Sequence, residues 1–161
     1  QSSPTDKRTT MADTASPGIN SAALGRSVLG VIMGVVIGGI LISMTEMLGH
    51  RLFPLPSDLS PLTHERCGDV MKLLRPIHLL PVGVAWFIGA TAGGALAGAV
   101  AQRRPLLHSS LVTAFFLSGA IFTLKQCQHP AWFNVVGPLL FLPAAWLASR
   151  MAASAIERNE A

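Results

Sequence analysis

Residues Ser27–Thr45 read SVLGVIMGVVIGGILISMT, a run of apolar and small residues that no charged side chain interrupts. At about 1.5 Å rise per residue, roughly 20 helical residues cross a hydrocarbon core of about 30 Å, so this stretch reads as a membrane span. Three further runs of the same kind follow, Pro81–Ala101, Ser109–Leu124 and Ala131–Ala148, and none of them contains Lys or Arg. The chain therefore reads as an all-α, four-transmembrane-helix bundle. The expected helices cover about 27–48, 78–101, 109–125 and 131–150, within a transmembrane domain over 25–150.

Working outward, residues 1–24 are rich in Ser, Thr, Ala, Asp and Pro without apolar periodicity, which predicts a disordered tail. Met11 is a candidate initiator within it. A cleaved signal peptide competes for the first run, but its apolar core is longer than the usual h-region of roughly 7–15 residues. No small-x-small cleavage site follows it either. Residues 151–161 read as a short C-terminal tail. The apolar fraction of 50% leaves out 15 Gly and 11 Pro, and Gly is common where membrane helices pack closely. With 161 residues there is room for one bundle and no separate soluble domain.

The net charge of +4 is spread rather than blocked, which argues against a nucleic-acid partner and for contact with the lipid bilayer. Lys7, Arg8, Arg26, Arg103, Arg104, Arg150 and Arg158 fall on the side shared by the termini. Arg51, Arg66, Lys72, Arg75 and Lys125 fall on the other, mostly in one long loop that also carries Asp58, Glu65 and Asp69. The Arg103–Arg104 pair in the short second loop is the clearest positive-inside signal, so both termini are expected in the cytoplasm.

Gly30, Gly34 and Gly38 recur every four residues in the first helix, and Gly89 with Gly93 and Gly94 with Gly98 do so in the second. Such stripes let helix backbones approach closely, either within the chain or between two copies. Pro138 and Pro143 are expected to kink the fourth helix. Trp86, Trp132 and Trp146 fall near helix ends, where interfacial belts place aromatic rings.

Residues 51–75 form the long loop. Pro54, Pro56 and Pro61 keep its first half extended, and Ser60–Pro61 resembles a helix start. Beyond it, Cys67, Val70, Met71 and Leu74 share three- and four-residue spacing, which predicts a short amphipathic surface helix in the first extracytoplasmic loop. Cys67 and Cys127 are the only cysteines, and the expected topology puts both outside, where disulfides persist. They are a candidate disulfide that would staple the surface helix over the bundle; two free thiols are the other reading.

Ser43, Glu46 and His50 share one helix face, and Gly39 lies only about 20° around from Glu46 at 100° per residue. A carboxylate at the edge of an apolar run is a candidate site facing protein or water, or an interfacial residue paired with Arg51, Arg75 or Lys125. Lys125 and His129 complete the candidate polar site. His50, His64, His78 and His129 all fall on the outer side, but they lack the ligand spacing of a metal centre, and their positions at helix ends do not suit haem. No metal, cofactor or catalytic residue is therefore expected. Ser109, Ser110 and Ser118 have no nucleophile-elbow context, and the chain has no phosphate-binding loop and no evident inverted repeat.

The stretch His129–Pro130–Ala131–Trp132–Phe133, continuing to Phe141–Leu142–Pro143, resembles the last helix of a family of small bacterial four-helix integral membrane proteins. Glu46 with His50, Phe53 and Pro54 resembles the end of that family's first helix. The resemblance covers most of residues 27–150 and implies a fold and a bacterial inner-membrane location, but no activity. The leading expectation is a non-enzymatic accessory or scaffolding subunit that uses its Gly-rich faces and outer cap to contact a membrane protein partner or a second copy. The alternative is a small oligomeric permease or channel with a polar path near Glu46 and His50. A membrane enzyme or redox protein using the outer histidines is the weakest of the three.

Overall fold

The computed structural model describes residues 21–55, 57 and 66–160, and all its regular elements are helices. They are α1 (Ser21–Leu52), α2 (Cys67–Leu73), α3 (Pro76–Ala101), α4 (Pro105–Gln126), α5 (Ala131–Leu139) and α6 (Phe141–Glu160). Four spans are long and apolar enough to cross a bilayer: α1, α3, α4 and the α5–α6 pair. Their up-and-down order gathers both ends of the described chain at one end of the bundle, here the terminal end. The opposite end carries a Cys67–Cys127 disulfide with Cα atoms 5.7 Å apart and is here the disulfide end.

Helix α3 is central, with α1, α4 and α6 packed around it. Half of its apolar window is buried, against 17% for α1, which among the described elements packs mainly on α3 and less on α4. Small residues explain the close approach. A Cβ on Gly34 would run into the carbonyl oxygen of Gly93, and one on Gly38 would stand 2.7 Å from the carbonyl oxygen of Gly89. One on Gly30 would stand 2.8 Å from the carbonyl oxygen of Ala97. The α1 stripe is thus filled by Gly89, Gly93 and Ala97 of α3. The second α3 stripe faces elsewhere: a Cβ on Gly94 would lie 3.0 Å from that of Ala148, and one on Gly98 2.7 Å from that of Ala152, both on α6.

Packing changes character along the bundle. At the terminal end Ala97, Ala101, Ala148 and Ala152 are buried among these glycines. Toward the disulfide end the core is built of Leu79, Trp86, Phe133 and Phe141, with Trp86 5.5 Å from Phe133 and 6.0 Å from Phe141, centroid to centroid. Small residues and large rings thus fill different parts of the core, while α1 and α3 stay close along their length, from Gly30 against Ala97 to Gly49 against Pro81.

Several sequence expectations are revised. Trp86 is buried in the core rather than placed in an interfacial belt, whereas Trp132 and Trp146 are exposed. The fourth span is two helices: Leu140 ends α5 with its N–H shared between the carbonyls of Val136 and Gly137, between Pro138 and Pro143. Each proline removes a backbone donor, and the helix resumes one residue later. Where a tail over 151–161 was expected, α6 continues to Glu160, and α1 begins at Ser21, inside the expected N-terminal tail.

The loop helix is shorter than its sequence pattern, α2 beginning at Cys67 after Arg66. Ser60–Pro61, Pro56 and most of the N-terminal tail lie outside the described residues. Two side chains of its expected apolar face turn onto the bundle, where Val70 is buried and Met71 packs against the aromatic core. The α3–α4 connection, Gln102–Arg104, is tight enough to put Gln102 and Arg104 at φ 54° and 45°. Gln102 also accepts a hydrogen bond from Arg26 at 2.8 Å, which ties the start of α1 to this turn.

Candidate functional site

A cleft of mixed character opens beside the contact between α1 and α4. Near the terminal end, α4 meets α1 through Val112 and Phe116, which lie against Gly34 and Gly38. Gly39, the residue after Gly38, and Gly119, three residues past Phe116, both border the space beside this contact, and a Cβ at either would meet nothing within 4 Å. Ile42 meanwhile turns toward α3, against Gly89. The result is a cleft of about 420 Å³ between α1 and α4, floored by α3 and α6. Glu46, Ser43 and Thr123 supply its polar groups, and Trp86, Phe116, Phe122 and Phe141 supply its rings. Ser43, Phe122 and Thr123 are exposed along the open side.

Glu46 is half-buried, on the same helical face as Gly39 and Ser43. Trp86 lines the same cleft. The alternative in which Glu46 is neutralised by Arg51, Arg75 or Lys125 is not realised: Glu46 forms no ion pair among the described residues, where the ion pair is exposed Lys72–Asp69 at 3.3 Å. No Lys, Arg or His lines the cleft.

The sequence-derived constellation is therefore only partly assembled. Ser43 and Glu46 share the cleft, and His50 follows one turn along α1, exposed. Lys125 is exposed and does not line the cleft. His129 is drawn away by its own neighbourhood: its Nδ1 lies 2.7 Å from the Cys127 carbonyl oxygen, its ring stacks on Phe133 at 5.7 Å, and its own carbonyl accepts from Asn134. His78 Nδ1 lies 3.5 Å from the Phe53 carbonyl, and His64 is outside the described residues. No group of three His, Cys, Asp or Glu among the described residues is placed to hold a metal.

Sequence reading passed over Thr91, Thr113 and Gly119, took Trp86 for an interfacial residue, and considered Ser109 only as a nucleophile. Ser109 is fully buried and donates to the Gly94 carbonyl at 2.9 Å, pinning α4 to α3. Thr91 and Thr113 are buried, and their hydroxyls have no hydrogen-bond partner among the described residues. Trp86 and Gly119 carried no signal of a site, because a ring in a core and a glycine in a helix are both ordinary. A second groove of about 330 Å³, between α3 and α5, is lined only by apolar side chains such as Leu79, Phe87 and Trp132, and offers no chemistry beyond apolar contact.

Together these features define a class: an all-helical bundle with four spans long and apolar enough to cross a membrane, and a carboxylate-bearing cleft between two of them. No protein-family model, curated protein or solved structure matches this chain.

Proposed function

We propose that this protein is a multi-pass protein of a bacterial inner membrane, with both termini cytoplasmic, that binds a small solute in the Glu46 cleft and passes it along a short polar path. One observation carries the reading. A half-buried carboxylate, with no Lys or Arg ion pair among the described residues, stands in an open cleft beside two hydroxyls, at the edge of a membrane span. Buried or half-buried carboxylates in spans are costly to hold, which makes them functional candidates. The resemblance of residues 27–150 to small bacterial four-helix membrane proteins supports the location. Arg103 and Arg104 at the terminal end, and the disulfide at the other, support the orientation, since thiols in a cytoplasm stay reduced. In this orientation α2 caps the outer end of the bundle.

The test is flux. Liposomes holding the purified protein should pass protons or small ions, and Glu46→Gln should remove most of that flux while leaving the fold intact. Wild-type liposomes as tight as empty ones would overturn the reading.

An accessory-subunit role is the second reading, and the broad apolar face of α1 favours it. Leu29, Ile32, Val36 and Ile40 are all about half-exposed there. The glycine stripes do not serve such a partner, because α3 and α6 already fill them. Mild-detergent purification from native membranes with mass spectrometry distinguishes the two: a stoichiometric partner chain favours the accessory role.

A further inference from the structure

We infer that the cleft between α1 and α4 takes an organic cation, an ammonium or phosphonium carrying apolar groups, with Glu46 as its counter-charge and aromatic rings as its walls. The inference rests on the solute-site reading above and names the ligand class. Charge selects the sign: among the described residues Glu46 is the one ionisable residue lining the cleft, so an anion would meet repulsion and no cationic side chain there. The walls select the kind of cation. Trp86, Phe116, Phe122 and Phe141 present ring faces or edges, and ring faces attract cations that have shed part of their water. A bare metal ion is poorly served, because hard cations want about six to eight oxygens and the side chains here offer Glu46, Ser43 and Thr123. An organic cation brings its own apolar groups, which fill a space of about 420 Å³ that side chains leave open.

Depth and access agree with this. Glu46 directly follows the apolar run Ser27–Thr45, so its carboxylate stands near the boundary where charged ends of amphiphiles lie in a bilayer. The open side is between α1 and α4, at Gly39 and Gly119, so entry is lateral, from the membrane. The same ammonium chemistry is supplied by a lipid amine headgroup or by a free hydrophobic cation.

The experiment is binding of tetraphenylphosphonium to the full-length, disulfide-intact protein in lipid nanodiscs, with tetraphenylborate as the probe of like shape and opposite charge. Saturable binding of the cation and none of the anion is expected. Glu46→Gln should weaken it at least about tenfold, the order expected for losing a counter-charge and partly desolvated cation contacts. Gly39→Leu and Gly119→Leu fill open space and so should keep the thermal transition while weakening binding similarly. Gly25→Leu, also in open space but far from the cleft, should leave binding unchanged.

Nanodiscs containing phosphatidylethanolamine should compete with the probe if the natural occupant is a lipid amine, and should not if it is a free cation. Equal binding of tetraphenylborate, or undiminished cation binding in Gly39→Leu and Gly119→Leu, overturns the inference even if Glu46→Gln fails to fold. Glu46-dependent flux in liposomes without probe binding overturns the cation assignment and leaves the solute path standing. Probe binding without flux supports the site and removes the path.

Discussion

Three buried hydroxyls in the α3–α4 region have opposite standing. Ser109 spends its hydrogen bond on the Gly94 carbonyl, whereas Thr91 and Thr113 are buried with none among the described residues. A buried unpaired hydroxyl costs about 1–3 kcal/mol, while a satisfied one contributes about 0.5–1.5 kcal/mol. Thr91→Val and Thr113→Val, which keep shape and remove the hydroxyl, should therefore leave the thermal transition of the detergent-solubilised protein unchanged or raise it. Ser109→Ala should lower it. A fall for both valine variants would show that those hydroxyls have partners in the membrane. At Trp86, position near a helix end suggests an interface residue; its burial beside Phe133 and Phe141 comes from the helices packed around α3, which no single-residue preference contains.

The elements are held by backbone-to-backbone proximity more than by interdigitating side chains. Gly34 and Gly93 face each other so closely that any side chain must push α1 away from α3. Gly34→Leu or Gly93→Leu should destabilise the bundle by about 1–3 kcal/mol or more, the scale of overpacking where nothing flexible can yield. Thermal unfolding monitored by near-UV circular dichroism checks this, with Gly39→Leu as the tolerated control on the neighbouring face of the same helix. Stability lost equally in Gly39→Leu would mean that helix propensity or insertion, rather than the α1–α3 contact, governs the effect. The α5–α6 break behaves differently, because Leu140 satisfies its N–H against Val136 and Gly137 and so the interruption leaves that donor paired.

For the whole molecule, the disulfide closes a stretch of 60 residues and ties α2 to the α4–α5 connection. Cross-links over loops of this length typically stabilise by about 2–4 kcal/mol. Reduction, or the double variant Cys67→Ser/Cys127→Ser, should lower the transition and make residues 66–75 more open to protease, while the four spans stay inserted. Unchanged protection of that segment would show that Val70 and Met71, packed on the core, hold α2 without the bond.

The sequence by itself determined the number of spans, their approximate limits and the interval of the glycine stripes, since hydropathy and residue size act locally and need no partner to be read. It also singled out Glu46, because a carboxylate at the end of an apolar run has no local reason to be there. Which stripe meets which helix was decided only by the tertiary structure, as was the burial of Trp86. The same holds for the separation of Lys125 and His129 from Glu46, and for the cleft opened by Gly39 and Gly119. Those depend on the distances between helices. Glycines let α1 and α3 meet backbone to backbone while rings fill the core among α3, α5 and α6, and neither effect exists until the helices pack.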